Sequence, residues 1–192
     1  VPKARTARDV WWVDVLLTQL ETKLGMTKRI ALEVLIEESE GLANAVDIAR
    51  SSDRLEAIIF GAGDLSASQR ARVDGNFDPV GEYPGDFWHF ARVQVVTAAR
   101  VAGIDAIDAP FPAYQDPKGY RRAATHASLL GFDGKWAIHP SQIPIANEVF
   151  APTADEVAAA KEAIETYRAS EASGVGAIGK EGKLVDAAHM RL

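Results

Sequence analysis

Three polar side chains fall where proteins built from alternating strands and helices place their chemistry, at the carboxyl ends of apolar strand-like runs. VLIEESEG puts Glu37 just after the run at 30–36, with Glu38 behind it. IIFGAGDLS puts Asp64 past a Gly61-Ala62-Gly63 turn that follows the run at 57–61. KWAIHPSQ puts His139 at the tip of the run at 135–139. If the runs before Glu37 and Asp64 are paired neighbours, their backbones lie about 5 Å apart. Two carboxylates so placed can share a hard divalent cation, since Mg²⁺ commonly takes one or two of them and leaves its other positions to water and substrate oxygens. The same two residues could instead cap the helices that follow the strands. Spacing leaves both readings open.

Other chemistry is excluded more firmly. GAGDLS lacks the last glycine of a dinucleotide-binding loop, Ser66 standing in its place, so that reading is rejected. His89, His126, His139 and His189 show no metal-ligand spacing, and there is no cysteine, which removes thiol nucleophiles, disulfides and Cys-ligated zinc. His139, followed by Pro140, reads as a structural hydrogen-bonding residue. Ser39 and Ser66 have no nucleophile-elbow context. Glu38 and Glu40 read as solvated, and Trp11, Trp12, Trp88 and Trp136 as packing residues. Asp186, in KLVDAAHMR after a segment punctuated by Gly174, Gly176, Gly179 and Gly182, is either the cap of a terminal helix or a carboxylate on a lid that brings an acid/base group to a site.

The elements that must position these residues follow from periodicity. Val10, Val13, Leu16, Leu17, Leu20 and Leu24 recur at helical spacing and stop at Gly25. Further helices are expected at 42–50, 87–102 and 116–130. The last has Asp116 as its cap, Pro117 at its first position and Gly131 after it. Strands are expected at 30–36, 57–61, 104–109 and 135–139, with a stub of a fifth at Val1, and a loop at 66–86. Thr153 and Glu156 form a capping box for a helix reaching to about 172. The β-α-β-α order predicts a parallel sheet with crossover helices. Strand spacing fits four units and a stub of a (β/α)₈ barrel, although a doubly wound sheet of five strands remains open on this ground. The expected division is a barrel portion at 1–150 and a C-terminal helix with a flexible lid segment at 151–192.

Bulk properties narrow the class. Of 192 residues, 47% are hydrophobic and 25% charged, the balance of a core-forming globular chain. Twenty-one Lys and Arg against 27 Asp and Glu leave a net charge of −6, which argues against tracking a nucleic-acid backbone. No apolar run reaches the ~20 residues of a membrane helix, and the first ten residues lack the apolar core of a signal peptide. The expectation is a cytoplasmic protein with neither nucleic-acid nor membrane partner.

Five segments in order, LIEESEGL (35–42), IIFGAGDLSAS (58–68), AIDAPF (106–111), DPKGYRR (116–122) and GKWAIHPSQI (134–143), resemble the HpcH/HpaI aldolase/citrate lyase β-subunit family. YPGDFWHFARVQVVTAAR (83–100) and GKLVDAAHMR (182–191) resemble its malyl-CoA/β-methylmalyl-CoA lyase branch. The resemblance implies a TIM barrel of the phosphoenolpyruvate-binding type and Mg²⁺ (or Mn²⁺) held by Glu37 and Asp64. It also implies an acid/base role for Asp186 on a lid that in relatives reaches the neighbouring subunit, hence a homo-oligomer. The implied reaction is reversible cleavage of a 3-hydroxyacyl-CoA thioester to acetyl-CoA or propionyl-CoA plus glyoxylate. Citramalyl-CoA cleavage and malyl-CoA thioester hydrolysis are alternatives on the same metal site. The chain departs from the family in having Glu38 where Thr is common. It opens at what resembles the fourth strand, without the early strand that carries a substrate-binding Arg. A truncated, non-catalytic remnant, poorly folded or inactive alone, is therefore a further expectation.

Overall fold

The first helix, α1 (Ala7–Leu24), is set by its two ends. The Thr6 amide donates to the Asp9 carboxylate at 2.8 Å, and Gly25, at φ 63°, closes the helix in a left-handed cap. In the computed structural model, which describes residues 1–172, 177–180 and 183–186, α1 leads into β1 (Leu32–Ile36), α2 (Ser39–Ala43), α3 (Ala45–Ala49), β2 (Leu55–Phe60) and α4 (Ala62–Ser68). After a long loop come α5 (His89–Ala102), β3 (Asp105–Asp108), α6 (Pro117–Leu130), β4 (Gly134–Lys135), a 3₁₀ turn (Pro140–Gln142) and α7 (Ile143–Phe150). The chain divides into two compact units, Val1–Phe150 and Ala151–Leu192.

In the first unit the four strands are all parallel and lie in the order of the sequence, β1-β2-β3-β4. Nothing in that order reverses, so these strands have no switch point of the kind that opens a crevice in a doubly wound sheet. Right-handed crossovers between successive neighbours carry their helices to one and the same face. Side-chain alternation agrees. Val34, Ile36, Ile58, Phe60 and Ala106 join one core cluster with Ile48 of α3 and Val95, Ala98 and Ala99 of α5. Residues of the opposite parity in β1 and β3, Glu33, Leu35, Asp105 and Ile107, are exposed or half-buried. Beside β1 the expected stub is present: the Val1 ammonium donates to the Glu33 carbonyl at 2.6 Å and the Leu35 amide to the Val1 carbonyl at 2.9 Å.

Several expectations need correction. The helix at 42–50 is two short helices broken at Asn44, whose side-chain amide is drawn off to the Arg5 carbonyl at 2.9 Å. The loop at 66–86 begins late, because α4 runs to Ser68. The strand at 135–139 stops pairing after Trp136, whose amide donates to the Asp108 carbonyl at 3.0 Å; His139 leaves the sheet to cap the 3₁₀ turn, its Nδ1 accepting from the Ser141 amide, with Pro140 unable to donate. Of the four tryptophans only Trp88 is buried; Trp11 and Trp12 are 59% and 55% exposed, and Trp136 is also open, so packing within the described chain does not account for them. No helix among the described residues is long and apolar enough to cross a membrane.

The second unit starts from the Thr153–Glu156 capping box, in which the Glu156 carboxylate accepts from the Thr153 amide at 2.7 Å and the Glu156 amide donates to Thr153 Oγ1 at 3.2 Å. This box opens α8 (Ala154–Ala172). An antiparallel hairpin follows, β5 (Ala177–Lys180) and β6 (Lys183–Asp186), with Asp186 opposite Ala177. Asp186 thus ends a strand; the terminal helix it is expected to cap would fall in 187–192, which lie outside the described residues, as do Gly174, Gly176 and Gly182.

At the amino ends of the strands, Arg54 ties α1 to the sheet. Its side chain is 1% exposed. It donates to Glu21 at 2.6 and 2.7 Å, to Thr18 Oγ1 at 2.8 Å, to the Ile30 carbonyl at 3.0 Å and to Asp14. Hydrogen bonds from Arg54 and the Ile30 amide hold the Glu21 carboxyl down to about 2. A carboxyl whose proton affinity is depressed by folding stabilises the fold above its ordinary value, and that contribution fades as pH falls toward the depressed one. Circular-dichroism melts should show the melting temperature falling between pH 4.5 and about 2. Glu21→Gln should melt lower at neutral pH and with a flatter acid slope; parallel slopes would remove Glu21 from the acid response.

Candidate metal centre

Glu37 follows β1 directly and continues the alternation of Glu33 and Leu35, so it belongs to the face that carries no helices. Asp64 sits in the first turn of α4, which starts at the tip of β2. Because β1 and β2 are direct neighbours, with Ile36 opposite Phe60 and the Gly61 amide bonded to the Ile36 carbonyl at 3.0 Å, the two carboxyl groups converge. Glycine makes the approach possible: a Cβ on Gly61 would stand 2.5 Å from Glu37 Cβ and 3.0 Å from its Oε2. A Cβ on Gly63 would stand 2.9 Å from the ring of Phe77, which the loop after α4 lays against that turn. Trp88 anchors that loop, its indole N–H donating to the Phe77 carbonyl at 2.8 Å.

Lys3 joins the two acids. Its amide donates to Glu37 Oε1 at 2.9 Å, and its ammonium lies 2.7 Å from Asp64 Oδ2. Burial pushes the Glu37 carboxyl up, opposed by the Lys3 amide and reinforced by the Asp64 charge. The Lys3 ammonium holds the Asp64 carboxyl below its ordinary value. Glu38 stands at the rim, accepting from Ser68 Oγ at 3.0 Å with Arg5 3.8 Å away, and Glu40 is exposed. Ser66 Oγ donates to the Gly63 carbonyl at 2.6 Å, a local turn bond and no nucleophile's setting.

This donor set suits a divalent ion. It is all oxygen, its two carboxylates come from adjacent strand tips, and one of them already holds a cation in Lys3. No third acidic, histidine or cysteine side chain joins them among the described residues, which leaves room for water and substrate oxygens, as Mg²⁺ requires.

A second charged cluster lies on the helix-covered face of the sheet. Asp108, at the end of β3 and opposite Lys135 in β4, has a side chain with no exposure. It accepts from Lys135 Nζ at 2.6 Å and Arg92 Nε at 3.0 Å. Arg92 in turn grips Asp86 with one nitrogen at 3.0 and 2.9 Å, and Lys135 also donates to the Ala109 carbonyl. Burial alone would raise the Asp108 carboxyl, but Lys135 and Arg92 outweigh it and keep it low. The cluster pins α5 and the loop before it to the strand tips. Sequence reasoning assigned no role to Lys3, Phe77, Arg92, Asp108 or Lys135. For Asp108 a signal existed, a charged residue set inside the run at 104–109.

A family model described as HpcH/HpaI aldolase/citrate lyase matches residues 1–140. The chain belongs to that family. It is 40% identical over 200 residues to the L-malyl-CoA/β-methylmalyl-CoA lyase of Rhodobacter capsulatus, covering 100% of this chain and 63% of that protein. The chain thus spans somewhat less than two thirds of this curated relative. Among solved structures, a citrate lyase from Burkholderia xenovorans superposes with a TM-score of 0.85 at 23% identity, over 100% of this chain and 59% of the other, a likeness of fold. CitE from Mycobacterium tuberculosis, solved with magnesium, acetoacetate and coenzyme A, superposes with a TM-score of 0.70 at 27% identity, over 100% of this chain and 63% of that one.

In this member of the HpcH/HpaI aldolase/citrate lyase family, two substitutions separate the clusters. Asp108→Ala leaves buried cations uncompensated and should cost about 3–5 kcal/mol in urea unfolding. Gly61→Ala overpacks against Glu37 and should cost about 1–3 kcal/mol while displacing its carboxylate. Mn²⁺ binding should weaken in Gly61→Ala and survive in any Asp108 variant that still folds; the reverse pattern would assign the ion to the wrong cluster.

Proposed function

We propose that the chain is the metal-binding part of a Mg²⁺-dependent carbon–carbon lyase that cleaves malyl-CoA or β-methylmalyl-CoA to acetyl-CoA or propionyl-CoA plus glyoxylate, reversibly. The observation that carries this reading is the convergence of Glu37 and Asp64 about a cation at neighbouring strand tips. It is supported by the 40% identity to lyases named for that reaction. Sequential parallel strands with helices on one face support a segment of a (β/α)₈ barrel, in which the uncovered face lines the interior and the strand tips form the mouth.

In cleavage, the substrate hydroxyl loses a proton, the bond between the hydroxyl-bearing carbon and the carbon next to the thioester carbonyl breaks, and that second carbon gains a proton. Glu37 and Asp64 hold Mg²⁺, with Mn²⁺ as a substitute. The ion when bound supplies Lewis-acid polarisation of a 2-oxo acid's oxygens. Glu37 is buried and fixed by the Lys3 amide, so it is a rigid anchor; Asp64, half exposed, faces incoming ligand. Asp186, at the end of β6, is the group that moves the proton, by the likeness of its segment to the lid of relatives. A homo-oligomer that exchanges these lids between subunits completes the reading.

Glyoxylate and free CoA released from malyl-CoA test it together. In the whole enzyme to which this chain contributes its metal site, Mg²⁺-dependent glyoxylate without free CoA is the expected result, and Asp64→Asn should lower kcat/KM about a hundredfold or more. Undiminished metal-dependent cleavage by Asp64→Asn would defeat the assignment, and free CoA without glyoxylate would make the protein a thioesterase.

A further inference from the structure

The acidic pair carries its own positive charge. Lys3 contacts both acids with different parts of itself: the backbone N–H holds Glu37 Oε1 at 2.9 Å, and the ammonium holds Asp64 Oδ2 at 2.7 Å. Its backbone lies in the left-handed region, at φ 51°, directly after Pro2. The two contacts are separable. The first needs only a backbone N–H at position 3, which every residue but proline supplies; the second depends on the ammonium alone. The Lys3 and Asp64 side chains are 51% and 52% exposed, so water can solvate either partner when they part.

A divalent ion on Asp64 and an ammonium at hydrogen-bond distance from the same carboxylate repel each other and compete for the same oxygen. Two neighbouring carboxylates without any cation repel as well. The Lys3 ammonium offsets that repulsion at Asp64, and a divalent ion bound there would have to displace it.

Resting on the metal reading above, we propose that Lys3 is a positioning residue and built-in competitor for the divalent ion. Its ammonium neutralises Asp64 before loading and swings off as the ion arrives, while its amide keeps Glu37 in place throughout. Lys3 thereby lowers metal affinity and holds the ligands ready for exchange.

The test is titration of the full chain with Mn²⁺, free ion followed by electron paramagnetic resonance, in the absence of any substrate. Wild type, Lys3→Met, Lys3→Gln, Lys3→Arg and Asp64→Asn are compared. Removing an exposed ion pair that must be broken should tighten binding about two- to fivefold in Lys3→Met. Lys3→Gln should do the same if the methionine variant folds poorly, and Lys3→Arg should stay close to wild type. Equal or weaker binding by both neutral variants, with wild type still binding and Asp64→Asn not, overturns the competition and leaves the metal site standing. Failure of every variant to bind, or binding by Asp64→Asn as tight as wild type, overturns the metal site and the role of Lys3 together.

Discussion

Two negative charges brought to adjacent strand tips need a positive one between them, and much of the arrangement around Glu37 and Asp64 answers that need. Like charges a few ångströms apart raise each other's proton affinity and resist being packed together. The chain meets this by burying one acid, leaving the other half exposed and bridging them with Lys3. Gly61 gives Glu37 its space, and Phe77 closes over Gly63. The same asymmetry suits a metal: a fixed buried ligand beside an accessible one.

The sheet supports this with a simple rule. Parallel strands in sequence order with right-handed crossovers put all helices on one side, which leaves the other side free for ligands and for residues of Glu37's parity. The two charged clusters therefore differ in kind although both lie at the strand tips. Asp108, Lys135 and Arg92 have the parity of the helix-covered core and satisfy one another under α5. Asp64 lies half exposed, where solvent can reach it, with the buried Glu37 beside it. The Arg54 network at the opposite ends of the strands fastens α1, whose first turn adjoins Lys3, to the sheet.

The comparisons speak to the family, and the geometry alone brings the two acids together. Membership of the HpcH/HpaI aldolase/citrate lyase family rests on a match through residue 140, which includes both Glu37 and Asp64. A relative solved with magnesium and coenzyme A has the same fold over all of this chain. Asp186 lies beyond the family match, and its placement at the end of a β-hairpin leaves its chemistry to the proposal made above.

By itself the sequence determined the local events. Gly25, Gly103 and Gly131 end helices in the left-handed conformation, Asp116 caps α6 through the Gly119 amide, and apolar runs of the right length become β1, β2 and β3. These depend on neighbours a few residues away, so spacing reveals them. It also singled out Glu37 and Asp64, because an acid at a strand tip is visible one strand at a time. Tertiary structure decided the rest. Only pairing of β1 with β2 brings those two acids together. Only the segment beside β1 sets Lys3, 61 positions before Asp64 in the numbering, at 2.7 Å from its carboxylate. Only the parity of β3 and β4 tells that Asp108 and Lys135 face helices, whereas Trp11 and Trp12 look like core in a helical pattern and prove exposed. Contacts between distant segments depend on register and on which face is covered, and neither is written in local spacing.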